Sequence, residues 1–155
     1  MFPVTRMRRM RSDERIRSMF RETSVDISDF IYPLYIKEST ENGNPEEIST
    51  MPGQYRYSVD AVDFAGLLED DGLTSVILFG IPDYKDEKAS SAYDKNGIIQ
   101  QTIKALKEQT NLVVLGDVCM CEYTDHGHCG IIKDNYVQND ETLKYLSKIA
   151  VSYAD

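Results

Sequence analysis

The sequence has few cysteines and no long apolar run, and these two features restrict the classes of protein to which it can belong. Three cysteines among 155 residues are too few, and odd in number, for a small secreted scaffold built on disulfides, so a reducing compartment is expected. No segment approaches the apolar length that crosses a bilayer, and the arginine-rich N-terminus lacks the apolar core of a signal peptide. The sequence therefore predicts a cytoplasmic globular domain with no membrane partner.

Basic residues are scarce outside the N-terminal segment. The formal net charge of −9 argues against nucleic acid as a partner, because binding to a phosphate backbone needs a basic face. Seven of the 17 basic residues lie close together near the N-terminus: Arg6, Arg8, Arg9, Arg11, Arg15, Arg17 and Arg21. A basic segment on an acidic body favours a contact between copies of the chain. The alternatives are a solvated tail and an RNA-binding arm, although Phe20 is the only aromatic residue within the arginine-rich stretch 6–21 for stacking.

Three apolar segments, each followed by an amphipathic one, organise the rest of the chain. The apolar segments are 30–36, 74–81 and 112–118, and the helices are predicted to begin near Ser58, Ile98 and Asn139. Ser58 is the predicted N-cap of the first helix, and Gly72 its stop. Strands that are apolar on both faces and alternate with helices predict a parallel sheet covered on both sides. The polar segment 38–52 predicts a surface loop.

Two α/β architectures fit this order of elements, a doubly wound sheet and a (β/α)₈ barrel. A barrel needs roughly 250 residues, so the barrel interpretation requires that only the first three βα units are present. The last predicted helix has no glycine stop before the final residue, which favours an incomplete fold. No strand is followed by the glycine spacing of a dinucleotide or phosphate loop.

All three cysteines and both histidines lie within the segment DVCMCEYTDHGHCG, residues 117–130. Thiolate and imidazole are the ligands that zinc prefers, and the two glycines permit a tight backbone path between them. The candidate metal ligands are Cys119, Cys121 and Cys129, and either His126 or His128 could close the site. Buried structural thiols and a redox pair are the alternatives, although redox pairs more usually have the spacing C-x-x-C.

The position of this segment favours a catalytic metal over a structural one. Three cysteines leave a coordination position for water or substrate, and the segment follows a parallel strand, where such folds place their chemistry. Asp117, at the end of that strand, is a candidate carboxylate for orienting a substrate or a metal ligand. Its alternative is a role in a turn or a helix cap.

The segment 117–130 closely resembles the zinc-site motif of the porphobilinogen synthase (5-aminolevulinic acid dehydratase) family. Further blocks occur in the order of that family and cover essentially the whole chain: RMRR, RET, DFIYPLYI, STMPGQYRYS, LFGIP, KDEKASSAYDKNGIIQ and NDETLKYL. The resemblance implies a (β/α)₈ barrel whose N-terminal part is residues 26–155. It also implies that residues 1–25 form an extended or helical arm that contacts a neighbouring subunit in a homo-octamer.

The resemblance implies a reaction, the zinc-dependent asymmetric condensation of two 5-aminolevulinate molecules to porphobilinogen with loss of two waters. This is a hydro-lyase step of tetrapyrrole and haem biosynthesis. By their match to the family motif, Cys119, Cys121 and Cys129 are the expected zinc ligands, and Asp117 is the expected substrate-orienting residue. Zinc would act as a Lewis acid. Whether Mg²⁺ acts at a second site, as in some members of the family, the sequence leaves open.

The Schiff-base lysines of the family lie on later barrel strands, so this chain is expected to be the N-terminal portion of the enzyme and inactive alone. Lys37 follows the first strand, but nothing in the sequence predicts the desolvated pocket that a nucleophilic lysine needs. Four further lysines are expected on solvated helix faces: Lys104, Lys107, Lys144 and Lys148. The alternative is a non-catalytic, zinc-binding fragment that associates with itself through an unpaired strand edge.

Overall fold

The computed structural model describes residues 1, 3–5, 7–59 and 62–155. Arg6, Asp60 and Ala61, for which the sequence makes predictions, lie outside the described residues. The helices are α1 (Glu14–Met19), α2 (Val62–Asp70), α3 (Ile98–Gln109) and α4 (Asn139–Ala154). The strands are β1 (Ile31–Lys37), β2 (Glu46–Glu47), β3 (Tyr55–Tyr57), β4 (Ser75–Ile81), β5 (Val113–Gly116), β6 (Ile132–Lys133) and β7 (Tyr136–Val137).

Five strands form one sheet in the order β2-β3-β1-β4-β5, and β6 and β7 form a separate hairpin. The strands β3, β1, β4 and β5 are parallel, and β2 is antiparallel to β3. The predicted parallel sheet of a mixed α/β fold is therefore confirmed. The prediction of a loop over 38–52 is partly wrong, because Glu46 and Glu47 pair with Arg56 and Tyr55 beside β1.

The main hydrophobic core lies on one face of the sheet. Leu34 and Ile36 of β1 and Val76 of β4 are fully buried there. Residues of α2 and α3 pack against them, among them Ala65, Ile99 and Leu106. Among the described residues, these helices cover this face alone, and Tyr35 and Phe79 on the opposite face are only half-buried. The prediction of a sheet covered on both sides is therefore wrong for the described structure.

The strand β5, which corresponds to the third apolar segment, is shorter and more exposed than its sequence predicts. It ends at Gly116, because the chain turns away after the amide of Asp117 donates to the carbonyl oxygen of Leu78 at 3.1 Å. Val113 is 60% exposed, because β5 lies at the edge of the sheet in the described part of the chain. The apolar sequence of β5 therefore does not mean that both faces of this strand are buried.

The described part of the first amphipathic helix is α2, from Val62 to Asp70. The start of this helix stays a prediction, because Asp60 and Ala61, between it and the predicted N-cap Ser58, lie outside the described residues. Its predicted stop is confirmed, because Gly72 has a φ of 94° and its amide donates to the carbonyl oxygen of Glu69 at 2.9 Å. A φ in this region favours glycine because it lacks a Cβ.

The described part of residues 1–25 contains one short α-helix. Asp13 caps α1, because its carboxylate accepts from the amides of Arg15 at 2.9 Å and Ile16 at 3.2 Å. No residue of α1 is buried, and the following Phe20 and Val25 are 56% and 72% exposed. Within the described ranges, no helix is both long and apolar enough to cross a membrane.

Candidate metal centre

The three cysteines converge just after β5, in a segment that we call the metal loop (residues 117–130). The Sγ atoms of Cys119 and Cys121 are 3.4 Å apart, and those of all three cysteines lie within 4.8 Å of one another. Cys119 and Cys121 are half-buried, Cys129 is exposed, and none is in a disulfide. The predicted ligand residues are therefore close in space, although their role as ligands stays a prediction.

The backbone of the metal loop folds back on itself through hydrogen bonds. The amides of Tyr123 and Thr124 both donate to the carbonyl oxygen of Met120 at 2.9 Å. The Thr124 hydroxyl donates to the carbonyl oxygen of His128 at 3.0 Å, and Gly127 between them has a φ of 72°. This turn returns the chain so that the third cysteine meets the first two.

Two tyrosines fill the space between the strand ends and the metal loop. Tyr123 lies against Gly80 of β4, where an added Cβ would come within 3.0 Å of the Tyr123 Cζ atom. Tyr153 of α4 lies against Gly116 of β5, where an added Cβ would lie 2.6 Å from the ring. Burial raises the pKa of Tyr153 to about 12, so its hydroxyl is neutral at physiological pH. Sequence reasoning missed both contacts, although the single glycines within apolar strands were a signal.

Two carboxylates adjoin the thiols. The ligand atoms of Asp117, Cys119 and Glu122 lie within 4.8 Å of one another, and the Cys121 thiol donates to Glu122 Oε2 at 3.2 Å. Burial raises the pKa of Asp117, and the charge of Glu122 raises it further. Burial also raises the pKa of Cys121, with the hydrogen bond to Glu122 as a second cause. A divalent cation would reverse these shifts, because it favours the ionised form of every neighbouring group.

The histidines take no part in the two ligand clusters found among the described residues. His126 Nδ1 accepts from the amide of His128 at 3.1 Å, and the two rings are 5.7 Å apart. The geometry therefore gives no support to a histidine as the ligand that closes the site. Glu122, which sequence reasoning did not single out, lies closer to the thiols.

The donor set fits a zinc ion. Tetrahedral coordination with Zn–S bonds of about 2.3 Å requires sulfur atoms about 3.8 Å apart. The observed separations, 3.4 Å for one pair and no more than 4.8 Å for any pair, bracket that value. Three soft thiolates with two hard carboxylates at the margin favour zinc over Mg²⁺, which prefers oxygen ligands.

Two of the lysines considered from the sequence, Lys37 and Lys148, have partners away from the metal loop. Lys37 Nζ donates to both carboxylate oxygens of Glu46, at 2.8 and 2.9 Å. Lys148 Nζ lies over the rings of Tyr93 and Tyr145, 5.3 and 5.0 Å from their centroids. In the described part of the chain, no lysine forms a hydrogen bond or an ion pair with a cysteine of the metal loop. The structure thus gives no sign of a nucleophilic lysine at the candidate centre.

A parallel sheet with a cluster of thiols beyond a strand end defines an α/β protein with a candidate metal centre. The family model for delta-aminolevulinic acid dehydratase matches residues 4–155, and the chain belongs to that family. The delta-aminolevulinic acid dehydratases of Methanothermus sociabilis and Methanothermobacter thermautotrophicus are 56% and 55% identical to it over 155 residues. Each match covers 99% of this chain and 48% of the relative, so the chain spans about half the length of these relatives.

A solved structure has the same fold over nearly the whole chain. It is the crystal structure of delta-aminolevulinic acid dehydratase (porphobilinogen synthase) from Toxoplasma gondii ME49 in complex with the reaction product porphobilinogen. The two are 31% identical with a TM-score of 0.90, and the match covers 97% of this chain and 44% of that one. The resemblance predicted from the motifs is therefore confirmed at the level of family and fold.

Proposed function

We propose that this chain is part of a zinc-dependent porphobilinogen synthase, which condenses two molecules of 5-aminolevulinate asymmetrically to porphobilinogen with loss of two waters. One observation carries the proposal: Cys119, Cys121 and Cys129 converge within 4.8 Å in a chain of the delta-aminolevulinic acid dehydratase family. The Toxoplasma gondii relative, whose structure contains porphobilinogen, supports the choice of reaction.

The three cysteines would hold the zinc ion, which supplies Lewis-acid polarisation of a substrate oxygen when bound. Cys129 is exposed whereas the other two are half-buried, so a substrate can reach the centre from the side of Cys129. Asp117 would orient the substrate amine or carbonyl group.

We propose that the sheet and its helices are the first three βα units of a (β/α)₈ barrel. In a doubly wound sheet, helices cover both faces, whereas in a barrel they all lie outside. Helices α2 and α3 pack on the face that carries Leu34 and Leu78, and Tyr153 of α4 contacts Gly116 on that same face. This one-sided packing supports the barrel. The stacked rings of Tyr35 and Phe79, with centroids 5.5 Å apart, would then face its interior.

The arm, residues 1–25, would contact a neighbouring subunit of a homo-octamer. Its apolar side chains support this role, because Met19, Phe20 and Val25 are between 56% and 79% exposed. Exposed apolar residues of this size are typical of interaction surfaces. The octameric assembly and the cytoplasmic location both stay predictions.

A second candidate is a non-catalytic, zinc-binding fragment that associates with itself. The observation that favours it is the free edge of β5, which pairs only with β4 in the described structure and leaves Val113 60% exposed. An unpaired edge strand can pair with another chain. The 155 residues alone are then expected to bind zinc without forming porphobilinogen.

Metal analysis combined with an assay for porphobilinogen tests the proposal. The protein as it occurs naturally and the 155-residue chain would both be purified, treated with a chelator, and reloaded with Zn²⁺ or Mg²⁺. We expect the natural protein to lose activity on chelation and to regain it with Zn²⁺ only. Activity that survives complete removal of metal would contradict the zinc-dependent reaction.

Porphobilinogen formed by the 155 residues alone would contradict their inactivity, and a monodisperse monomer in sedimentation would contradict self-association.

A further inference from the structure

A segment beside the metal loop, residues 86–93, has no part in the reaction described so far. We call it the support segment. Its first residue, Asp86, has a carboxylate that accepts from the amide of Lys88 at 3.0 Å, the amide of Ser90 at 2.9 Å and the hydroxyl of Ser90 at 2.5 Å. These bonds close a tight turn in which Ala89 has a φ of 52°. Left-handed backbone is unfavourable at a residue with a Cβ, and the hydrogen bonds to the carboxylate stabilise the turn against this strain.

The backbone of Asp86 joins this turn directly to the metal loop. Its amide donates to the carbonyl oxygen of Tyr123 at 3.3 Å, and its carbonyl oxygen accepts from the amide of Asp125 at 3.3 Å. These two residues lie in the part of the loop that connects Cys121 with Cys129. A shift of Asp86 would therefore move the third cysteine relative to the first two.

Apolar contacts connect the support segment with the other half of the loop. Ala89 and Ala92, 0% and 1% exposed, share a buried cluster with Met120, which is 0% exposed. Met120 stands between Cys119 and Cys121 in sequence. Because its side chain is fixed in this cluster, the backbone that carries both thiols is fixed as well.

The support segment is itself anchored to two helices. Gln100 of α3 is 4% exposed, and its Nε2 donates to the carbonyl oxygen of Ala92 and to the hydroxyl of Ser152 of α4, both at 2.9 Å. A buried amide with two such partners is a rigid connection, since leaving either group unpaired costs free energy. Through the support segment, the metal loop is thus held in a fixed position relative to α3 and α4.

We propose that Asp86 is a positioning residue of the metal centre, which sets the separation of the three thiols through the support segment. The inference rests on the proposed function, because it requires that these thiols bind a metal. Groups that orient metal ligands from outside the coordination sphere typically change metal affinity by roughly tenfold or more when removed. Asp86 would act in this way on the loop backbone instead of on a ligand side chain.

The carboxylate is suited to this role at physiological pH. Burial opposes ionisation of Asp86, but the hydrogen bonds from Ser90 and Lys88 outweigh it and hold its pKa below the usual value. The group is therefore ionised and accepts three hydrogen bonds, which are stronger than those of a neutral acceptor.

The test compares metal binding by four variants in the protein as it occurs naturally. Zn²⁺ affinity would be measured by competition with a chelating dye, and the thiolate-to-metal absorption of the Co²⁺-loaded protein would be recorded. We expect Asp86→Ala to weaken Zn²⁺ binding roughly tenfold or more and to change the Co²⁺ spectrum. Asp86→Asn keeps one acceptor oxygen and is expected to recover most of the affinity. Ser90→Ala removes one of the three bonds, retains the carboxylate and is expected to have an intermediate effect.

Asp94→Ala is the matched control. Asp94 is an exposed aspartate of the same region, and its carboxylate accepts from the amide of Asn96 at 2.8 Å without a hydrogen bond to the metal loop. We expect this variant to bind Zn²⁺ like the wild type. The Co²⁺ spectrum separates positioning from mere destabilisation, because it reports the arrangement of the ligands in the molecules that are folded.

Three outcomes would overturn the inference. The first is wild-type affinity and an unchanged Co²⁺ spectrum in both Asp86→Ala and Ser90→Ala, with Ser90→Ala deciding alone where Asp86→Ala does not fold. The second is an equal loss of affinity in Asp94→Ala, which would show a general effect of loop substitutions. The third is a wild-type protein that binds neither metal, which overturns the proposed function and this inference together. Failure confined to the variants leaves the proposed function standing.

Discussion

The two apolar clusters of this chain are built in different ways. The cluster between the sheet and its helices consists mainly of large aliphatic residues, among them Leu34, Ile36, Val76, Leu78, Ile99, Leu106 and Leu112. The cluster beneath the metal loop is smaller and mixed: Ala89, Ala92, Met120, Tyr123, Ile131 and Ile149. Hydrogen bonds surround the second cluster: the side chains of Asp86 and Thr142 accept from backbone amides, and Gln100 donates to a backbone carbonyl oxygen. The stability of the first cluster thus depends on the apolar area that it buries. The stability of the second also depends on the hydrogen bonds around it.

Removal of a large side chain from the first cluster is expected to have the largest effect on stability. Leu78 is 1% exposed in the middle of β4, so Leu78→Ala leaves a cavity and loses apolar burial. We expect the free energy of unfolding to fall by about 3 kcal/mol, measured by urea denaturation of the metal-free protein. The Co²⁺ spectrum of the folded variant should equal that of the wild type. A changed spectrum would show that the first cluster also affects the arrangement of the metal ligands.

Removal of a thiol is expected to abolish stabilisation by metal while leaving both clusters intact. At a free Zn²⁺ concentration 100 times its dissociation constant, binding to the native state stabilises a protein by about 2.7 kcal/mol. Cys121→Ser should lose this increment, and its metal-free form should unfold like the metal-free wild type. Scanning calorimetry with and without Zn²⁺ measures both quantities. An equal increment in the variant would remove Cys121 from the ligand set.

A methyl group added at Gly116 is expected to destabilise the protein through a clash with Tyr153 of α4. The new Cβ would lie 2.6 Å from the Tyr153 ring, so Gly116→Ala should cost about 1–3 kcal/mol through overpacking. Gly66→Ala in α2 is the matched control, because no atom lies within 4 Å of its added Cβ. Alanine is the better helix former, so this control should gain about 0.5–1 kcal/mol. Equal effects at the two glycines, measured by thermal denaturation, would show that the contact with Tyr153 is unimportant.

The smallest expected effect is a dependence on pH. Because the folded state lowers the pKa of Asp86 below its usual 3.8, the stabilisation from its ionised form is complete above that pH. It is lost as the pH falls through the lowered pKa. Urea denaturation of the wild type and Asp86→Asn at neutral pH and below pH 3.8 measures this difference. The two proteins should differ more in stability at neutral pH, and a constant difference would contradict the role of the charge.

The sequence predicted the first cluster better than the second. Apolar runs and helical periodicity located β1, β4, α3 and α4, because these patterns are local. The spacing of Cys119, Cys121 and Cys129 predicted the metal loop for the same reason. The hydrogen bonds of Asp86 with Tyr123 and Asp125 and the contact of Tyr153 with Gly116 join residues far apart in sequence. No local pattern encodes such contacts, so they required the structure.

The contact between Gly116 and Tyr153 also bears on how this protein can change in evolution. The two residues lie on different elements and occupy one shared volume, so a larger residue at the first position requires a smaller one at the second. Gly80 and Tyr123 form a second such pair. Homologues in which either glycine is replaced should therefore carry a compensating loss of the aromatic ring at its partner. The two pairs should co-vary independently of the cysteines.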